Sequence, residues 1–287
     1  MPGREKETTM TLKTILAIIG TATGDDDLAI AAALCEEAAL HLSVLIVEAA
    51  PPPPTGEFAA MVSDGWIQQR QAGQKRLEDR AAAVTAKLAG TALSADVATA
   101  FPELAWADEV VGRRARYADM TLAGPALLRD EALGTRAVEG ALFSSATPLL
   151  IAPAGTRPTV APQRVLLAWD AGVEAARAMH AALDIMTTAD AVHLTLVDPV
   201  EAEDGHGAEP GADAAAYLAR HGCKVRVDRL PSGGRPIARV LQQHAVDVAA
   251  DLIVMGAYGH SRLRERMFGG TTKSMLEEAA IPVLFAR

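Results

Sequence analysis

The stretch DLIVMGAYGHSRLRERMFGGTT, residues 251–272, decides how the rest of the chain is read. Leu252 to Met255 are apolar and predict a buried strand, which Gly256 ends. Gly259 follows, and the pair Gly269-Gly270 opens a segment of helical character that runs to Ala280. A strand, a glycine-punctuated loop and a helix start suit an anionic group. Glycine lets the main chain come close, and the first free N–H groups of the helix point at the anion. The loop also carries His260, Arg262, Arg264 and Arg266. This spacing fits a nucleotide-phosphate site. It fits a solvated basic loop on an ordinary strand-to-helix connection equally well, because short glycine patterns recur by chance.

Outward from this stretch the chain alternates strand and helix, and it does so twice. KTILAIIG at 13–20 lies over QRVLLAWD at 163–170, and YADMTLAG at 117–124 over AADLIVMG at 249–256. EGALFSSATPLLIAP closes the first copy as KSMLEEAAIPVLFAR closes the second, with the proline-rich APAGTRPTVAPQ (152–163) as a linker. Helices are expected over 28–41, 57–88 (interrupted near Gly65 and Gly73), 104–117 and 134–145 in the first copy. In the second they are expected over 173–187, 212–221, 236–249 and 271–280. Alternation of this kind implies an α/β fold of two tandem doubly wound domains, 12–154 and 162–287. Each would hold a five-stranded parallel sheet with strand order 3-2-1-4-5, flanked by helices. Ligands in such sheets sit beyond the carboxyl ends of the strands, where the order reverses. In the second copy that crevice brings together Asp170, ending the first strand, and Gly256, ending the fourth. Asp170 suits ribose or base hydrogen bonds, and it suits a helix cap before Val173 as well.

Composition excludes several classes. A formal net charge of −9 disfavours nucleic acid and anionic membrane surfaces, against which the 260–266 cluster is a local exception. No apolar run approaches the roughly 18–20 residues of a membrane span. The start is not a convincing signal peptide, so residues 1–11 are expected to be a disordered leader and the location cytoplasmic. Cys35 and Cys223 lack metal or redox spacing and are expected to be buried reduced thiols. Aromatic residues make up only 4%, so the core should rest on aliphatic strands and helices.

Gly256, Gly259, Gly269 and Gly270, with their intervals of two and nine residues, carry a family resemblance. The second half resembles the universal stress protein family, and residues 13–287 as a whole look like a tandem, UspA-like member with two such domains. The resemblance implies a stress-response module that binds ATP or another adenine nucleotide, with Mg²⁺ beside it. It implies no defined catalytic reaction and at most slow ATP hydrolysis. Carried onto this chain, the implied site is Asp170, the backbone at Val197, Gly256, Gly259, Arg262, Gly269, Gly270, Thr271 and Thr272. Gly270 stands where the family pattern has Ser or Thr, so Thr271, Thr272 or the backbone N–H groups would take the place of that hydroxyl. The first half departs further. Gly20 replaces the acid, Leu127 falls at the Gly259 position, and Asp130 and Glu131 set negative charge where the second copy is basic. It is expected to bind no nucleotide.

Other motifs lead nowhere in the sequence. Ser232-Gly233-Gly234 follows the third strand of its copy rather than the first, as a pyrophosphate loop would. Gly269 to Ser274 lacks the Walker spacing, and His206 with Glu203, Asp204 and Glu209 is expected to be a solvated acidic loop. The remaining histidines are scattered. Two rival functions stand beside the nucleotide module: an interaction protein without nucleotide, and an ATP-using enzyme of the same broad fold. Both copies end in an apolar strand, PLLIA and PVLFA, so the two halves are expected to associate and chains to dimerise.

Overall fold

A computed structural model describes residues 12–22, 24–54, 63–200, 209–258 and 270–287. The first half runs β1 (Thr14–Gly20), α1 (Asp25–Ala38), β2 (His41–Val47), α2 (Asp64–Ala89) and β3 (Ala95–Ala100). A 3₁₀ turn at Leu104–Trp106 leads into α3 (Ala107–Ala115), followed by β4 (Met120–Ala123), α4 (Pro125–Arg129), α5 (Glu131–Phe143) and β5 (Leu149–Ile151). The second half runs β6 (Arg164–Ala168), α6 (Val173–Ala181), α7 (Leu183–Thr188), β7 (Ala191–Val197), α8 (Ala212–Arg220) and β8 (Val225–Leu230). It ends with α9 (Ile237–Asp247), β9 (Leu252–Gly256), α10 (Gly270–Glu278) and β10 (Val283–Ala286).

The strands form one sheet in the order β3-β2-β1-β4-β5-β10-β9-β6-β7-β8. Within each half every pairing is parallel and the order is 3-2-1-4-5. The two five-stranded units are not separate sheets. β5 and β10 pair antiparallel, Val283 opposite Ile151 and Phe285 opposite Leu149, which joins them edge to edge. A parallel sheet covered on both faces needs strands that are apolar on both sides, hence the unbroken runs. Ile15, Ala17 and Ile19 pack under α1 and α2, while Leu16 and Ile18 pack on the other face with Val111 of α3 and Ala137 of α5. The second half repeats this arrangement. Leu167 joins Met179 of α6 and Leu218 of α8, and Leu166 joins Leu241 of α9 and Met275 of α10.

Several element boundaries differ from expectation for local reasons. The long helix is continuous through Gly73, which faces the ring of Phe101 where a Cβ would lie 2.9 Å from Cζ. It starts at a Ser63 cap that accepts the Trp66 N–H at 3.2 Å, and positions 57–62 of the expected helix lie outside the described residues. The expected helix 173–187 is two helices that break at the buried Ala182. The short α4 was not foreseen; Pro125 opens it, with its ring where no N–H is needed. Cys35 and Cys223 are buried and unpaired, and burial pushes the Cys35 thiol up to about 12. No described helix is long and apolar enough to cross a membrane. The leader 1–11 and the acidic residues 201–208 lie outside the described residues.

Candidate functional site

The carboxyl ends of the second-half strands share a backbone signature. Ala171 after β6 (φ 59°), Asp198 after β7 (φ 48°) and Tyr258 after β9 (φ 61°) are all left-handed, as are Gly233 and Gly234 after β8. A non-glycine residue in that region costs on the order of 1–3 kcal/mol, and such residues gather where the chain is held to a special path around a site. After β1 in the first half, only Gly24 takes such a conformation among the described residues.

Asp170 sits at the β6 exit with its side chain exposed, and its Oδ1 accepts the Gly172 N–H at 2.8 Å. One carboxylate oxygen therefore fixes the turn into α6. Val197 ends β7 half-buried, and the next residue, Asp198, accepts the Ser232 N–H at 2.8 Å. The Ser232 hydroxyl and N–H together hold the Asp198 carboxyl below its usual range. The rejected Ser-Gly-Gly segment is thus tied to the edge of this crevice through Asp198, a residue that its sequence neighbours do not single out.

Gly256 has a packing duty. A Cβ there would lie 2.6 Å from the Ala175 nitrogen and 2.8 Å from the Glu174 Cβ, so a side chain would force β9 away from the start of α6. Gly270, the first residue of α10, has no heavy atom of the described residues within 4 Å of an added Cβ. Thr271 is half-buried beside it. Thr272 is turned inward and buried, its Oγ1 accepting the Tyr258 N–H at 3.4 Å. Its hydroxyl links the helix to the β9 exit, which is a different task from replacing a phosphate-binding hydroxyl. The Tyr258 ring packs on Phe143 of α5 at 4.8 Å, and the Arg287 guanidinium lies 4.1 Å from the centroid of the Phe143 ring. The loop therefore leaves from a base braced against the first half. Gly259, His260, Arg262, Arg264, Arg266 and Gly269 lie outside the described residues.

The first half fills the corresponding places with its own side chains. Asp27 of α1, only 3% exposed, accepts the N–H groups of Ala126 (2.9 Å) and Leu127 (2.8 Å) just after β4. Burial pushes its pKa up, opposed by those two N–H groups. Gly124 lets the carboxyl in, since a Cβ would lie 2.3 Å from the Asp27 Cγ. Asp130 caps α5 through the N–H groups of Ala132 and Leu133, so its charge serves the helix start. At the β1 and β2 exits, Glu48 is bonded to Thr21 and Arg76. In this half, carboxylates of the chain itself take the backbone N–H groups that follow β4 and open α5.

Comparison with known proteins agrees with this architecture. Residues 162–287 match the profile described as the Universal stress protein family. A universal stress protein of Synechocystis sp. is 36% identical over 74 residues, a match covering 26% of this chain and 25% of that protein's length. A universal stress protein structure from Archaeoglobus fulgidus superposes with TM-score 0.64 at 18% identity, covering 96% of both chains. One from Pseudomonas aeruginosa, described as putative, gives 0.58 at 16% identity over 97% of this chain and 94% of that one. These two structures share the fold across both halves. The strand order, the glycine-ended β9 and the matched profile lead to one assignment: residues 162–287 belong to the universal stress protein family.

Proposed function

We propose that the second half is an adenine-nucleotide-binding module, holding ATP with Mg²⁺ at the carboxyl ends of β6, β7 and β9, and that the first half, residues 12–154, binds none. The contrast between the copies carries this reading. Asp27 and Asp130 occupy the helix starts after β4, whereas no side chain of the described residues reaches Gly270 at the start of α10. In the reading, the free oxygen of Asp170 meets ribose or base and the Val197 backbone flanks the adenine. The N–H groups of Gly259, Gly269, Gly270 and Thr271 take the phosphates, and Arg262 adds positive charge. Gly256 and Thr272 act from behind, the one seating β9 against α6 and the other tying α10 to Tyr258.

No side chain of this arrangement is assigned to bond cleavage, so the module senses or stores nucleotide and hydrolyses it slowly at most. It would act in a stress response from the cytoplasm. The second reading, an interaction protein without nucleotide, draws on one observation: Gly270 lacks a hydroxyl and Thr272 directs its own inward.

Small molecules released from the purified protein by denaturation should include an adenine nucleotide. Titration of MgATP into wild type and Gly259→Glu should show a loss on the order of tenfold or more, since a carboxylate beside a triphosphate is repulsive. Equal affinity in the two proteins would remove the assigned site.

A further inference from the structure

Three side chains dispersed in sequence meet between β7, β8 and α9, at the flank of the sheet and apart from the strand exits. His193 Nδ1 lies 2.7 Å from Asp228 Oδ2, and His244 Nε2 lies 2.9 Å from the same oxygen. The three ligand-type atoms are all within 4.8 Å of one another, and the side chains are only 10%, 10% and 14% exposed. The rings stand nearly edge-on at 83°, so their nitrogens converge on the carboxylate from two directions.

The first half closes the same corner in another way. Asp96 of β3 is met by the guanidinium of Arg114, from α3, together with His41 Nε2 at 2.9 Å. A guanidinium is always charged and has no lone pair to give, so it locks a carboxylate as an ion pair. The second half sends a histidine from the corresponding helix, two positions away on aligning the copies, and gathers two imidazoles around one carboxylate.

We propose that His193 Nδ1, Asp228 Oδ2 and His244 Nε2 form a binding site for a divalent transition metal, zinc foremost, with a fourth position open to water. Two imidazoles and one carboxylate are a recurrent three-ligand zinc set. Zinc takes such atoms at about 2.0–2.2 Å, which sets tetrahedral neighbours about 3.3 Å apart. Each N···O pair here needs to open by about half an ångström, and the two nitrogens, now within 4.8 Å of each other, to draw together toward the ion. With the metal bound, each ring gives it the lone pair of the nitrogen that faces Asp228 and carries its hydrogen on the opposite nitrogen. Arg226, whose Nε is 3.2 Å from Asp228 Oδ1, is mostly exposed and can turn to solvent, leaving Oδ1 free.

The test uses the full chain, treated with chelator and titrated with Zn²⁺ against a chromophoric competitor, as wild type, His193→Gln and His244→Arg. The His244→Arg variant imitates the arginine lock of the first half, and circular dichroism identifies the folded variants. Wild type should bind one equivalent, and each folded variant should lose on the order of 100-fold or more in affinity. No saturable binding by wild type, or equal affinity in a folded variant, overturns the proposal. Should neither variant fold, anomalous scattering from zinc in wild-type crystals decides: density between His193, Asp228 and His244 supports the site, and density elsewhere or none overturns it.

Discussion

Asp27 shows how one carboxylate decides what a crevice can do. It takes the two backbone donors that follow β4, so an alanine there strands both N–H groups in a dry environment. Asp27→Ala should destabilise the protein by about 1–3 kcal/mol in urea unfolding. The effect of pH has a definite sign. Burial raises the folded-state pKa, opposed by the two N–H bonds, so the native state holds the proton more tightly than the unfolded chain does. The contribution therefore favours folding at low pH and fades as pH rises from about 4 through the folded pKa. Asp27→Asn should flatten that part of the stability profile, and an unchanged slope would show that the carboxyl titrates normally. None of this was legible from residues 24–27, because the donors lie about a hundred positions away in the chain. Gly256 was legible as a strand end, yet the cause of its being glycine, the start of α6 lying against β9, was not. His193, Asp228 and His244 looked scattered for the same reason: strand and helix pairing brings them together, and sequence spacing does not record it.

At the scale of elements, the strands were the most readable. A parallel strand buried on both faces must be apolar along its buried length, so ILAII and LIVM announce themselves. Helix ends were less readable where a cap, a proline or a close crossing sets them. One close crossing is that of α3 and α5. A Cβ on Gly112 would lie 2.3 Å from the Ser144 Cβ, and one on Gly140 would lie 2.3 Å from the Asp108 carbonyl oxygen. Gly140→Ala should cost about 1–3 kcal/mol by overpacking and lower the melting temperature. Gly65→Ala, exposed in the first turn of α2 with its nearest neighbour among the described residues 3.9 Å away, should instead gain up to about 1 kcal/mol. A matched gain in both would mean that helix propensity, rather than the crossing, sets the effect.

For the whole molecule, the repeat told of two units, and the seam that unites them is a feature of coordinates. Leu150 and Leu284 sit opposite each other across β5 and β10, both buried. The apolar strand that ends each copy is therefore used up inside one chain, and a dimer of full-length chains must draw on another surface. Cutting the molecule exposes the difference. A fragment of residues 162–287 leaves β10 unpaired and should self-associate in sedimentation velocity, through β10 against β10. A folded fragment that stays monomeric would show that the strand is not adhesive by itself.

Because β5 and β10 run in opposite directions, the halves are related roughly as a figure is to itself turned upside down. The ends of β6, β7 and β9 thus open on one rim of the sheet, and the ends of β1, β2 and β4 on the other. A molecule assembled from duplicated parts in this way acquires a top and a bottom. A protein that docks on the rim where β6, β7 and β9 end never touches the rim where β1, β2 and β4 end, so under the proposed function it would read nucleotide occupancy of the second half alone.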